Sequence, residues 1–138
     1  MVDPWKVYSD VWQVDNTSPK GLDKFDDIFH ENNYKKTVKN FSNNPKVKII
    51  RDYSVNAAKM FDDKYFDFVY LDGDHSYEGV KKDLDSWYPK LKKFGVMCGG
   101  DYGKPHGLGI IEAVSEFAYK HKVLVTHSRD KQFWFVKV

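Results

Sequence analysis

From residue 46 onward the apolar positions fall into short runs that alternate with helical spacings. KVKII (46–50) is a β-branched run that predicts a strand, and VNAAKMF (55–61) predicts a helix after it. FDFVYL (66–71) is almost wholly apolar, the pattern of a buried strand. In SYEGVKKDLDSWYPKL (76–91), Val80, Leu84 and Trp87 recur at helical spacing, and Pro89 supplies a stop. FGVMCGG (94–100) predicts a further strand ending in glycines. GIIEAVSEFAYKH (109–121) places Ile110, Ile111, Val114, Phe117 and Ala118 on one side of a helix. KVLVTHS (122–128) and KQFWFVKV (131–138) read as strands joined at Arg129 and Asp130, which predicts an antiparallel hairpin.

This alternation of strand and helix predicts an α/β fold of Rossmann type. The sheet is expected to be mostly parallel, with helices on both faces and the hairpin as an antiparallel end. The first 45 residues carry a weaker pattern. VDPWKVYSDVWQV (2–14) is apolar without a clear period, and DNTSPKGLD (15–23) has a loop composition. KFDDIFHENNYKKTVKNFSNN (24–44) predicts a helix with Phe25, Phe29 and Val38 inward. No repeat or linker divides the chain, so its 138 residues are expected to form one domain.

Composition narrows the functional classes. A chain 41% hydrophobic and 30% charged is globular in type. No apolar run approaches the length of a membrane span, and MVDPWKVYSD lacks a signal-peptide pattern, so no membrane partner and a cytoplasmic address are expected. A net charge of +2 gives no argument for nucleic acid. The lysine groups are interleaved with acids or apolar residues and read as solvated surface. Cys98 is the single cysteine and lies in an apolar run, which predicts a buried thiol.

Candidate chemistry gathers at strand ends. Asp72, Asp74 and His75 follow the strand at 66–71, Asp101 follows that at 94–100, and Asp52, Tyr53 and Ser54 follow 46–50. Parallel strands deliver such residues to one edge, where open α/β sheets bind ligands. Ser54 and Asp74 serve equally well as helix N-caps. Asp72 and Asp101 do not directly precede their helices and suit a shared hard cation such as Mg2+. Such a cation polarises a hydroxyl, and an imidazole at His75 can accept the proton released.

The block YLDGDHSYEGVKKDLDSWYPKLKKFGVMCGGDYG (70–103) resembles the class I S-adenosylmethionine-dependent methyltransferases. It is most similar to the branch of metal-dependent macrolide-sugar O-methyltransferases. That resemblance rests on an apolar strand ending in D-G-x-H-x-Y, a helix with D-L-x-x-W, a lysine-glycine turn, and a strand ending in acid and Tyr. DPW at 3–5 extends it to the front of the chain. The resemblance implies S-adenosylmethionine as cofactor, Asp72 and Asp101 as metal ligands, and His75 as general base. It further implies Asp3 at the cofactor ribose, with Asp52, Tyr53, Ser54 and Asp72 also on the cofactor side. The acceptor it implies is a small hydroxyl compound such as a sugar.

Two departures qualify that expectation. Gly100 stands where many relatives carry an acid. The family's glycine-rich loop belongs about 20 residues before its ribose-binding acid, and no G-x-G precedes Asp3. A truncated methyltransferase fold is therefore expected, with the first strand, that loop and most of the second strand missing. The strand at 66–71 then has an exposed edge, to be covered by 46–50, by the segment 5–14, or by a second copy in a homo-oligomer. A non-catalytic remnant acting as a binding module is the alternative to an enzyme. A hydrolase using the same Asp, Asp and His on a metal has no further support.

Overall fold

A computed structural model of the chain describes residues 1–6, 26–103 and 107–138. They fall into two compact units, Met1–Tyr53 and Ser54–Val138. The expected loop at 15–23 and Phe25 lie outside the described residues, as does most of 2–14.

In the first unit, helix α1 (Asp27–Phe41) begins at Asp26, whose carboxylate accepts the N–H of Phe29 at 2.7 Å. That bond satisfies one of the N–H groups a helix start leaves open. Phe29 and Val38 were expected to point inward, but they are 37% and 38% exposed, and α1 has no buried residue. Among the described residues, its side-chain contacts include aromatic and ionic ones. Trp5 packs on Tyr34 at 5.1 Å, Arg51 lies over the Tyr34 ring at 4.4 Å, and Arg51 pairs with Glu31 at 2.8 Å.

The run 46–50 does not form the expected strand. Ile50 makes a single parallel bridge to Val2, with Ile50 N–H donating to Met1 at 3.0 Å and Asp3 N–H donating to Ile50 at 3.2 Å. Val2 takes up this backbone, and 46–50 is not among the strands of the sheet that contains 66–71.

The second unit is an α/β layer. It contains α2 (Ser54–Ala58), β1 (Phe66–Leu71), α3 (Tyr77–Trp87), β2 (Leu91–Gly99), α4 (Leu108–His121), β3 (Thr126–His127) and β4 (Phe133–Val136). The strand order is β1-β2-β4-β3. β1 and β2 are parallel, while β4 is antiparallel to both β2 and β3. The Rossmann-type α/β class holds, but the sheet is mixed rather than mostly parallel. Without a strand at 46–50, β1–β2 is the one parallel pair among the described strands, and β4 folds back between β2 and β3.

Register explains the core. Val69 aligns with Met97 and Leu71 with Gly99, while Met97 and Gly99 face Phe135 and Phe133 across β4. Met97, Phe133 and Phe135 are 0–1% exposed. α3 adds Val80, Leu84 and Trp87 to this face, and α4 adds Ile110, Val114 and Phe117, the last stacked on Phe135 at 5.8 Å. Helical period thus converts directly into one apolar stripe per helix. Gly99 has no room for a side chain, since a Cβ there would stand 2.6 Å from the Leu71 carbonyl oxygen.

The opposite face is the alternate set of the same strands. Phe68, Tyr70, Trp134 and Val136 lie there, 57%, 47%, 37% and 43% exposed. Both long helices of this unit share the first face, so β1 is apolar on two sides but covered on one. Among the described residues no helix is long and apolar enough to cross a membrane.

Candidate functional site

The parallel pairing of β1 and β2 brings their carboxyl ends together. Asp72 leaves β1 at once, and Asp101 follows two residues after β2. His75 lies between them, its Nε2 3.8 Å from Asp72 Oδ1 and 3.6 Å from Asp101 Oδ2. One ligand atom from each of the three lies within 4.8 Å of the others. His75 is the more sheltered, and both acids are exposed.

Local chemistry holds this arrangement. The carboxylate of Asp74 accepts the N–H of Ser76 at 2.8 Å and closes a tight turn. Ser76, not Asp74, caps α3, its hydroxyl accepting the N–H of Gly79 at 3.0 Å. On the other side Asp101 has a left-handed backbone, φ 54°, with its carbonyl accepting Gly103 N–H at 2.7 Å. An Asp tolerates that conformation better than most residues, yet it is uncommon outside glycine and clusters at working sites. The start of α4 seals both loops. A Cβ at Gly109 would meet the Tyr77 nitrogen at 2.6 Å and the His75 carbonyl at 2.9 Å.

Sequence reasoning missed several neighbours. Gly100 faces the Tyr70 hydroxyl, 3.0 Å from where a Cβ would be, and also Asp72 and Gln132. The Tyr70 hydroxyl donates to Gln132 Oε1 at 2.8 Å. Burial, with Asp72 nearby, holds that phenol above its ordinary pKa, so it stays a donor. Thus Tyr70 and Gln132 occupy the place beside Gly100 where relatives were expected to carry an acid. No spacing signal marks Gln132, because its approach depends on β4 folding back beside β2.

Ser54 has a structural task. Its Oγ accepts the Trp87 Nε1–H at 2.8 Å, and its hydroxyl bonds to Asp83. Asp83 is the buried acid of this unit, 8% exposed. With Leu71, His75, Val80, Ile110 and Phe133 it lines a cavity of about 10 Å³, room for one water at most. Burial raises the Asp83 pKa, and the Ser54 hydrogen bond only partly offsets this. The folded state therefore holds this proton more tightly than the unfolded chain. Its contribution to stability is greatest below the ordinary carboxyl pKa and is lost as pH rises through the raised folded value. Asp83→Asn keeps the acceptor for Ser54 without the charge. It should stabilise the chain at pH 7 to 8 but not at pH 3, as urea melts at both pH values would show. A larger gain at pH 3 would reverse the sign of this argument.

The remaining cofactor candidates belong to the first unit. Asp3 uses Oδ1 to accept the Trp5 N–H at 2.6 Å, and Asp52 Oδ1 accepts the Tyr53 N–H at 2.7 Å. The Tyr53 ring is 47% exposed. Asp72 and Ser54 lie in the second unit.

Comparison with known proteins fits this architecture. A crystal structure of a Corynebacterium glutamicum protein superposes with a TM-score of 0.63 at 11% identity, covering 99% of this chain and 59% of that one. A spermidine synthase from Thermotoga maritima gives 0.48 at 15% identity, over 81% of this chain and 42% of its own. A curated relative, the uncharacterized protein y4gI of Sinorhizobium fredii (strain NBRC 101917 / NGR234), is 31% identical over 72 residues. That match spans 51% of this chain but 8% of the relative's length. The family described as "Methyltransferase domain" matches residues 1–102, which include Asp3, Asp72, His75 and Asp101. The chain belongs to that methyltransferase domain family.

Proposed function

We propose that this domain serves transfer of a methyl group from S-adenosylmethionine to the hydroxyl of a small molecule, assisted by a divalent cation. The observation that carries the reading is the meeting of Asp72, His75 and Asp101 at the ends of two parallel strands. Two carboxylates facing one point suit a hard cation such as Mg2+, with water at the other positions. Such a cation, when bound, supplies a Lewis acid that makes the acceptor hydroxyl easier to deprotonate. The cofactor supplies a methyl group already activated on a sulfonium, so the protein's part is positioning.

His75 takes the hydroxyl proton at Nε2, the atom turned toward both carboxylates. Asp3 would serve the cofactor ribose and Asp52 the cofactor side, each having fixed one carboxylate oxygen on a backbone N–H. Tyr53 would serve the adenine end, as the resemblance implies, and the Ser54 hydroxyl is engaged by Trp87 and Asp83. A sugar is the acceptor class implied by the branch the sequence resembles.

Titration of the chain with Mg2+ or Mn2+ tests the central claim. Asp72→Asn and Asp101→Asn should each weaken binding by about tenfold or more, since each removes a charged oxygen ligand, about 1.4 kcal/mol per factor of ten. Equal affinity in all three proteins would remove the cation from the mechanism.

A second reading, a methyltransferase-like remnant that binds without turnover, is favoured by the use of the Ser54 hydroxyl inside the fold. Calorimetry with S-adenosylmethionine separates the two. The expected affinity for this chain alone is weak, on the order of 1 mM. Micromolar binding would mean that the cofactor pocket is complete, and methyl transfer by the chain would set the remnant reading aside.

A further inference from the structure

We propose that Asp83 is a positioning residue for the loop 72–75, supporting that loop from its inner side and so setting Asp72 and His75 at the candidate site. Its bearing on cation binding rests on the function proposed above; its hold on the loop does not. Asp83 lies on the inner stripe of α3, three residues after Val80 and four before Trp87, and is 8% exposed. Its Oδ2 stands 3.3 Å from the point that a Cβ on Gly73 would occupy. Gly73 separates Asp72 from Asp74.

The carboxyl is itself steadied by Ser54. The Ser54 Oγ accepts the Trp87 Nε1–H at 2.8 Å, which leaves its own hydroxyl proton to donate to Asp83. Trp87, Ser54, Asp83 and Gly73 thus form one line of contacts from α3 and α2 to the loop. The cavity of about 10 Å³ has Asp83 in its wall together with Gly73, Asp74 and His75. Where the carboxyl does not reach those residues directly, a single water there can bridge to them.

Packing alone gives no reason for an acid at this place. Val80, Leu84 and Trp87 make the rest of the stripe apolar, and an apolar side chain would continue it without the cost of burying a carboxyl. Burial, and then the neighbouring Asp74 carboxylate, favour the protonated form of Asp83. A protonated carboxyl both donates and accepts, as the amide of asparagine does, whereas a leucine of similar size does neither. Groups placed behind metal-binding side chains set the orientation of those side chains in this way.

Amide hydrogen exchange over residues 73–79 of the cation-free, 138-residue chain tests the hold on the loop. Exchange there is expected to be about tenfold faster in Asp83→Leu and within about twofold of wild type in Asp83→Asn, with α4 no faster in either. Mn2+ titration tests the bearing on the site. Affinity should fall about tenfold in Asp83→Leu and stay within about threefold in Asp83→Asn. Should the leucine variant fail to fold, Ser54→Ala withdraws the hydroxyl that steadies the carboxyl and carries the same expectations at smaller size. The proposal is overturned if the loop exchanges alike in wild type and Asp83→Leu, or if α4 quickens by the same factor. It is equally overturned if asparagine loosens the loop as leucine does, or if wild type and Asp83→Leu bind Mn2+ alike. A wild type that binds no Mn2+ would end the cation reading, and the exchange rates would still decide the hold on the loop.

Discussion

Gly109→Ala should destabilise the chain and weaken cation binding together, although alanine is the better helix former. The helical preference for alanine over glycine is at most about 1 kcal/mol in a helix interior, and less in a first turn. Against it stands a Cβ 2.6 Å from the Tyr77 nitrogen and 2.9 Å from the His75 carbonyl. These are backbone atoms, so relief requires the helix or the loop to shift, at a cost of about 1–3 kcal/mol. The steric term wins. The loop that shifts carries His75 and begins at Asp72, so the carboxylate pair loses its setting as well. Urea denaturation and Mn2+ titration of the variant measure the two effects. A variant as stable as the wild type would mean that α4 is not seated on this loop.

Leu84→Ala should cost about 2–5 kcal/mol, the range for emptying a fully enclosed leucine site. Leu84 is 0% exposed, on the stripe that α3 presents to the sheet. Phe68→Ser, in a strand just as apolar by sequence, should change the stability of the monomer by only about 0.5 kcal/mol. Its ring is 57% exposed on the sheet face away from both long helices. Chemical denaturation at low protein concentration compares the two without interference from association. Equal losses would mean that the outer face is covered in solution.

That contrast shows what the sequence made legible. Val80, Leu84 and Trp87, and Ile110, Val114, Phe117 and Ala118, were expected inward and are buried. Ile111 is only partly buried, and Ala113 takes the inner position instead. A helix shows its inner face in its own period, so this much is local information. The strand at 66–71 was read as enclosed because it is apolar on both sides. An apolar run reports what surroundings a strand suits, not which neighbours supply them. The failed strand at 46–50 has the same origin: its β-branched residues suited pairing, and Val2 provided a single bridge. The hairpin was legible as a pairing, Thr126 with Trp134 and His127 with Phe133, though its strands are shorter than expected.

The candidate site divides in the same way. Asp72, His75 and Asp101 were legible because strand ends announce themselves by an abrupt change from apolar to polar. Their companions Tyr70 and Gln132 lie 62 positions apart and meet only through tertiary structure. Asp83 was visible as part of D-L-x-x-W, but its burial and its bond to Ser54 were not.

The position of β4 has a consequence for the order of events during synthesis. The strand is the last element of the chain, yet it lies inside the sheet and brings Phe133 and Phe135 into the core. While a ribosome is still holding the residues after 132, Met97 and Phe117 have no partner on that side. A nascent chain therefore presents β2 as a second open edge until translation has passed β4. Closure of the sheet is a late, cooperative step that pairs Gly99 with Phe133 across the connection that contains α4 and β3. Any factor that shields aggregating chains would meet this protein in that interval, with β1, β2, α3 and α4 made and the β4 side of that layer still bare.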